Sequence, residues 1–301
     1  MKSSRIGGTC FGFLVEPSLR FNYLRCGIGE PLHVEINSAS PTIEPGTLVR
    51  EWTIQAPEPF RAKLYAHDGA YRLWAADSGW FGIDPARARV SLPANGNAVK
   101  REERLWGIPV LLCFVARGDV PIHAAAVDAG RGAILLAAPG RFGKTTLAAG
   151  FVRAGNRLLS EDLSCLRVGA ETTVVPGPAM LRIRPDVAEA LDLPRAQALA
   201  AGDERLHLAL DPSERGDCTP VPIRALVFLR GGTNGVELRR AHPRDAIRDL
   251  FFLSFRLPGV PETARAFGAV AELAATVPAW DLSYPLRLDE LDRVVEALAR
   301  L

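Results

Sequence analysis

The sequence predicts an α/β protein in which a β-rich N-terminal lobe precedes a larger domain built as strand, glycine loop, helix and strand. Three observations predict it. Residues 8–93 carry short β-type runs punctuated by Pro, Gly, Asn and Asp. Residues 133–137 form a continuous apolar run that leads directly into a glycine-containing loop. A short strand-like run, 157–160, leads into two adjacent acids.

In chain order, the runs 32–36 and 62–66 read as strands of the first lobe. Trp52, Tyr65, Tyr71, Trp74, Trp80 and Phe81 concentrate there and are read as core packing, with a binding face as the alternative. Turn formers crowd 91–97, which places a boundary between a lobe of 1–96 and a domain of 97–301. The apolar run 105–116 fits a helix or a buried strand equally, because periodicity cannot separate the two over so short a length. Residues 124–127 and 133–137, joined by a glycine-containing turn, read as two strands of a central sheet. A helix over 145–154, a turn at Gly155-Asn156, a strand over 157–160 and a further strand over 163–168 follow. The run 223–229, apolar except for Arg224, reads as a buried strand. Helical spacing recurs over 185–192, 243–255, 261–276 and 288–301. The last of these carries Asp289 and Glu290 where negative charge suits a helix N-terminus, and Leu291, Val294, Val295 and Leu298 on one stripe. The sequence shows no internal repeat and no low-complexity tract.

Composition bounds the function. A chain of 301 residues with 48% hydrophobic and 23% charged residues can bury a substantial core. Its 36 basic and 34 acidic residues leave a net charge of +2, so no broad cationic field calls for nucleic acid or a membrane surface. Any anion must be held locally. The five cysteines, Cys10, Cys26, Cys113, Cys165 and Cys218, are odd in number and widely spaced, which favours buried or partly buried free thiols over disulfides or a zinc site. With no signal-peptide pattern at the N-terminus and no apolar run long enough to span a bilayer, the expected location is the cytoplasm.

The chemistry concentrates in three places. Ala138-Pro139-Gly140-Arg141-Phe142-Gly143-Lys144-Thr145-Thr146 meets the phosphate-loop pattern with Ala in place of its first Gly, and it sits between a strand and a helix as that pattern requires. Gly140 and Gly143 allow successive amides to turn inward toward phosphate oxygens, and the N-terminus of the next helix adds partial positive charge. Lys144 is then placed to reach the β- and γ-phosphates of ATP, and the Thr145 hydroxyl to ligate the Mg2+ that accompanies it. Glu161 and Asp162, at the end of the next strand, would lie at the same sheet edge as the loop if the sheet were parallel. Two acids there can divide metal binding from proton acceptance. His123, directly before the small-residue strand, is the third candidate; alone, a histidine is more often structural.

In their order, His123, the loop 138–145, and the segment Gly155-Asn156-Arg157-Leu158-Leu159-Ser160-Glu161-Asp162 resemble the HPr kinase/phosphorylase superfamily. The resemblance is to its divergent serine-kinase members found with peptide-modification (lasso peptide) genes. It covers residues 120–168 well and the remainder weakly. It implies the compact P-loop fold shared by HPr kinases and phosphoenolpyruvate carboxykinases. It also implies that Lys144 and Thr145 bind triphosphate and magnesium, that Glu161 stands at the family's acid/base position, that Asp162 takes the neighbouring acidic position and is, like Thr145, a candidate metal ligand, and that His123 supports the pair. The division between the two acids stays open. Gly140 and Arg141 replace a Ser-Gly pair of the family's loop, and Glu161 replaces an aspartate.

The expected activity is therefore transfer of the γ-phosphoryl group of ATP to a serine hydroxyl of a peptide or protein, such as a lasso-type precursor. A homo-oligomer is compatible with the resemblance, and neither nucleic acid nor membrane is an expected partner. The alternatives are a P-loop ATPase or switch module without a phosphoacceptor, and a nucleotide-binding scaffold. Phosphoenolpyruvate carboxykinase activity ranks lower, because His33, His67, His123, His207 and His242 show no metal-ligand spacing. Arg182, Arg184, Arg205 and Arg244 are candidates to clamp phosphate or an acidic peptide, although solvation is the commoner fate of each.

Overall fold

The computed structural model describes residues 7–16, 19–37, 46–54, 60–193, 196–201, 205–211, 215–232, 235–257 and 260–301. The chain divides into two compact units, Met1–Asp119 and Val120–Leu301, so the turn formers at 91–97 fall inside the first unit and not at the 96/97 boundary.

Among its described residues, the first unit holds a sheet of eight strands: β1 (Gly8–Cys10), β2 (Phe13–Val15), β3 (Glu30–Asn37), β4 (Thr47–Ile54), β5 (Phe60–His67), β6 (Ala70–Ala75), β7 (Gly79–Asp84) and β8 (Arg89–Pro93). Their spatial order is β1-β2-β3-β8-β7-β6-β5-β4. Helices α1 (Ala98–Leu105) and α2 (Ile108–Ala116) follow it. The ambiguous run 105–116 is thus helical from Ile108. Its residues Val110, Leu111, Leu112, Cys113 and Phe114 are all buried, and the helix packs on β7 and β8, which is why it belongs to this unit and not to the next.

Strand alternation overturns the reading of the aromatic residues as core. Leu64, Leu73, Phe81 and Ile83 are buried on one face, so their neighbours Tyr65, Trp74 and Trp80 point to the other and stay half-buried; Trp52 and Tyr71, opposite Ala62 and Ile83 in register, share the core face but are also only half-buried. Trp74 lies opposite Trp80 in register, and the Tyr65 and Trp80 ring centroids are 5.8 Å apart. Only Phe81 of the six joins the core. All five cysteines are free thiols, but Cys26, expected to be at least partly buried, is exposed.

The second unit is built on a mixed sheet. Its strands are β9 (Val120–Ile122), β10 (Ala124–Asp128), β11 (Ala133–Ala137), β12 (Arg157–Ser160), β13 (Ser164–Arg167), β14 (Thr173–Val175), β18 (Val221–Gly231), β19 (Glu237–Arg240) and β20 (Ala279–Ser283). A small antiparallel sheet of β15 (Met180–Ile183), β16 (Ala196–Ala201) and β17 (Leu206–Leu210) lies beside it. The helices are α3 (Lys144–Arg153), α4 (Pro185–Leu191), α5 (Pro243–Leu253), α6 (Val260–Thr276) and α7 (Leu291–Ala299), so each expected helical segment forms, with 288–290 as a 3-10 turn before α7.

The sheet is not parallel throughout. Only four residues separate β10 from β11, enough for a hairpin and too few for a parallel crossover, so the two run antiparallel. β12 is antiparallel to β10, and β18 is parallel to β11. β11 and β12 therefore run the same way with β10 between them. The expected shared edge holds through a reversal the sequence reading did not include.

The continuous apolar runs follow from burial on both faces. Ile134 and Leu136 join Ala125, Val127, Leu158, Val227 and Leu229 in a core with α3, α7 and the small sheet. Ala133, Leu135 and Ala137 join Ala124, Ala126, Leu159, Leu226 and Phe228 in a second core with α5 and α6.

Candidate active site

This topology collects chemistry at one edge of the sheet. The loop 138–143 follows β11, Glu161 and Asp162 follow β12, and His123 precedes β10, whose first residue pairs with the last of β11. β20 is parallel to β18, so Tyr284, just beyond it, arrives at the same edge.

The loop turns through two left-handed residues, Arg141 (φ 70°) and Gly143 (φ 82°). The sequence reading assigned the turn to Gly140 and Gly143; the strained position is Arg141, where a side chain costs about 1 kcal/mol relative to glycine. Ala138 is buried, whereas Pro139, Gly140 and Arg141 are exposed. Phe142 and Thr146 are half-buried. Gly143 forms the N-cap of α3, and Leu147 N–H donates to its carbonyl (2.9 Å). The buried Tyr284 donates its hydroxyl to Phe142 O (3.0 Å), and a Cβ on Gly143 would overlap that hydroxyl. Tyr284 escaped the sequence reading, for nothing local marks it.

These contacts carry a prediction. Gly143→Ala is expected to destabilise the fold by roughly 2 kcal/mol, from the left-handed backbone and the overlap together. Tyr284→Phe, which removes one hydrogen bond only, should cost about 1 kcal/mol. Urea denaturation of both variants checks the ranking, and a neutral Gly143→Ala would contradict it.

Lys144 is 6% exposed. Its ammonium donates to Ala138 O (2.8 Å) and Pro139 O (2.9 Å) and lies 3.1 Å from His123 Nε2. Burial lowers its pKa; Asp162 and Glu161 oppose that, while Arg205 reinforces it. Since the ammonium can only donate, His123 Nε2 accepts, and its remaining proton sits on Nδ1, 3.4 Å from Asp162 Oδ1.

Glu161 is 3% exposed, and its Oε1 accepts the Thr145 hydroxyl (2.6 Å). Its Oε2 accepts from Arg182 Nε (3.2 Å) and Nη2 (3.1 Å), and the same Nη2 lies 3.1 Å from Asp162 Oδ2. The Asp162 side chain is 44% exposed. Desolvation pushes its carboxyl up, but Arg182 and then His123 and Lys144 outweigh this and hold it below the usual carboxylate range. Ser164, also missed from sequence, donates its single hydroxyl proton to Ala124 O (2.9 Å). The Ser160 hydroxyl, 2.6 Å away, must then donate to Ser164, and the buried pair fixes the turn that carries both acids.

Of the four arginines considered, Arg182 enters the site by binding the acids. Arg205 is near enough to influence Lys144 electrostatically. Arg184 is exposed and paired with Asp186, and Arg244 is exposed. Among the described residues no group of three or more His, Cys, Asp or Glu side chains is placed to hold a metal ion, and no helix is long and apolar enough to cross a membrane.

The His123 environment sets a pH dependence. Burial lowers its pKa, Asp162 raises it and Lys144 lowers it again, with the net value below the ordinary one. A base depressed in the fold gives stability that is complete above its unfolded pKa and is lost as pH falls through the folded value. The urea midpoint is therefore expected to lose part of its height as pH drops below about 6.5, and His123→Gln to lose less. Equal losses in the two proteins would place the titrating group elsewhere.

No protein-family model and no curated protein matches the chain. Among solved structures, the HPr(Ser) kinase/phosphatase from Coxiella burnetii is similar over 60% of this chain and 93% of its own, with a TM-score of 0.32 and 10% sequence identity. At that score and identity the likeness is one of coarse α/β architecture at most.

Proposed function

We propose that the second unit is an ATP-dependent kinase of the P-loop type that transfers the γ-phosphoryl group to a serine hydroxyl of a peptide or protein. The observation that carries this reading is the Thr145 hydroxyl hydrogen-bonded to Glu161 at 2.6 Å, with Lys144, Asp162 and His123 gathered at the same sheet edge. The glycine loop and the α3 N-terminus offer amides to the phosphates, and Lys144 adds charge where negative charge accumulates in transfer.

Thr145 and the two carboxylates are hard oxygen donors. Magnesium commonly needs only one or two carboxylates beside nucleotide phosphates and water, so this set fits it without a third acidic side chain. When bound it would neutralise phosphate charge.

We assign Glu161 to the metal side with Thr145, and Asp162 to proton acceptance. This reverses the order that the resemblance implies. Its support is that Glu161 is buried against the Thr145 hydroxyl, whereas Asp162 is nearly half exposed and is backed by His123. The His123 Nδ1 proton faces Asp162 Oδ1, which leaves His123 neutral and orienting.

The test is transfer of labelled γ-phosphate from magnesium ATP to serine-bearing peptides, lasso-type precursors included, and to candidate proteins. Label recovered on serine supports the reading. Free phosphate with no labelled acceptor across a broad panel would replace it with a P-loop ATPase.

A further inference from the structure

Each of the four carboxylate oxygens of the acid pair faces a protein group. Glu161 Oε1 accepts from Thr145 (2.6 Å) and Oε2 from Arg182 Nε and Nη2 (3.2 and 3.1 Å). Asp162 Oδ2 faces Arg182 Nη2 (3.1 Å), and Oδ1 faces His123 Nδ1 (3.4 Å). One guanidinium thus bridges both carboxylates. Two adjacent acids without a counter-charge would repel each other, and oxygen-rich negative sites attract hard divalent cations. Here the planar fork of Arg182, three-quarters buried, supplies the positive charge from within the protein.

The placement follows from the small sheet. Arg182 stands between buried Leu181 and Ile183 on β15, so alternation turns it away from the core that holds those two. The buried Ser160–Ser164 pair fixes the opposing turn.

We propose that Arg182 is a positioning residue that occupies the acid pair in place of a divalent cation, and so keeps the nucleotide-free protein from binding free magnesium or manganese. This rests on the reading that Glu161, beside Thr145, faces a nucleotide-borne metal. It adds that the metal site is closed until nucleotide binds. A guanidinium beside a carboxylate changes its affinity for a proton by about 10- to 1,000-fold, and a competing metal ion meets the same charge.

The probe is manganese chloride, with free Mn2+ followed by electron paramagnetic resonance on the full chain. Wild type is expected to bind no Mn2+ at about 0.1 mM without nucleotide, and to bind it once ADP is added. Arg182→Gln, checked by circular dichroism and thermal melting, should bind nucleotide-independent Mn2+ at least about tenfold more tightly than wild type. Arg182→Lys, which keeps the charge, should restore exclusion; a purely structural ion pair would leave Mn2+ binding unmoved. Equal binding by wild type with and without ADP overturns the proposal, and this arm needs no variant. So does a folded Arg182→Gln that binds no more tightly than wild type. These outcomes are read without turnover. Loss of labelled transfer with metal exclusion intact would therefore count against the kinase reading and leave the role of Arg182 standing.

Discussion

Lys144→Ala is expected to lower the proposed phosphoryl transfer by about 10²- to 10³-fold in kcat, the scale for losing one preorganised positive donor at a developing charge. The side chain is buried and tethered to Ala138 O, Pro139 O and His123 Nε2, so its ammonium is held against its own loop. Those contacts pre-position an ammonium whose charge burial disfavours and the two acids support. Phosphate oxygens are better partners than carbonyls for an ammonium, which makes exchange from loop to nucleotide favourable. The variant leaves two carbonyls without this donor, so its melting temperature should be measured beside its rate. A folded variant with undiminished transfer would remove Lys144 from the chemistry.

Asp162→Asn and Glu161→Gln are expected to fail in different ways. If Asp162 accepts the acceptor's proton, its amide should reduce kcat by about 10²- to 10⁴-fold at saturating magnesium, with little change in the magnesium requirement. Glu161→Gln keeps the shape but weakens both the Thr145 contact and the negative charge beside it, so its principal defect should be a higher magnesium concentration at half-maximal rate. Initial rates across a magnesium titration separate the two. Reversed phenotypes would restore the assignment in which Glu161 is the base. Equal collapse of kcat in both, with magnesium dependence unchanged, would remove the division of labour altogether.

Local signals served the phosphate-type loop well. Chain order fixes an apolar strand before residues 138–143 and a helix after them, and glycine at 143 fits a left-handed turn that tolerates no side chain there. At Arg141 the same rule failed, because a non-glycine residue holds the left-handed conformation. The acid pair was visible as two charges at the end of a short strand-like run. The cluster around it was not. Arg182 was one of four arginines with equal claims, and only the position of β15 gives it both carboxylates. Tyr284 lies 142 residues from the carbonyl it binds.

The first unit shows the same division. Alternating runs announced its strands, but which alternate residues face inward depends on what covers the sheet. α2 packs on β7 and β8, and on β7 Phe81 and Ile83 became core while Trp80 did not. The helix likewise carried the unit boundary to Asp119, past the turn formers at 91–97.

By itself, then, the sequence determined the runs that become strands and helices, the glycine-bearing loop and the acids after β12. Backbone stereochemistry and side-chain periodicity act over a few residues and can be read from those residues alone. The tertiary structure alone decided that β10 reverses between β11 and β12, that Arg182 bridges the acid pair, and that Tyr284 backs the loop. Those outcomes depend on which of many distant partners burial brings within hydrogen-bonding range, and a buried charge or hydroxyl is stabilised only by the partner that packing delivers.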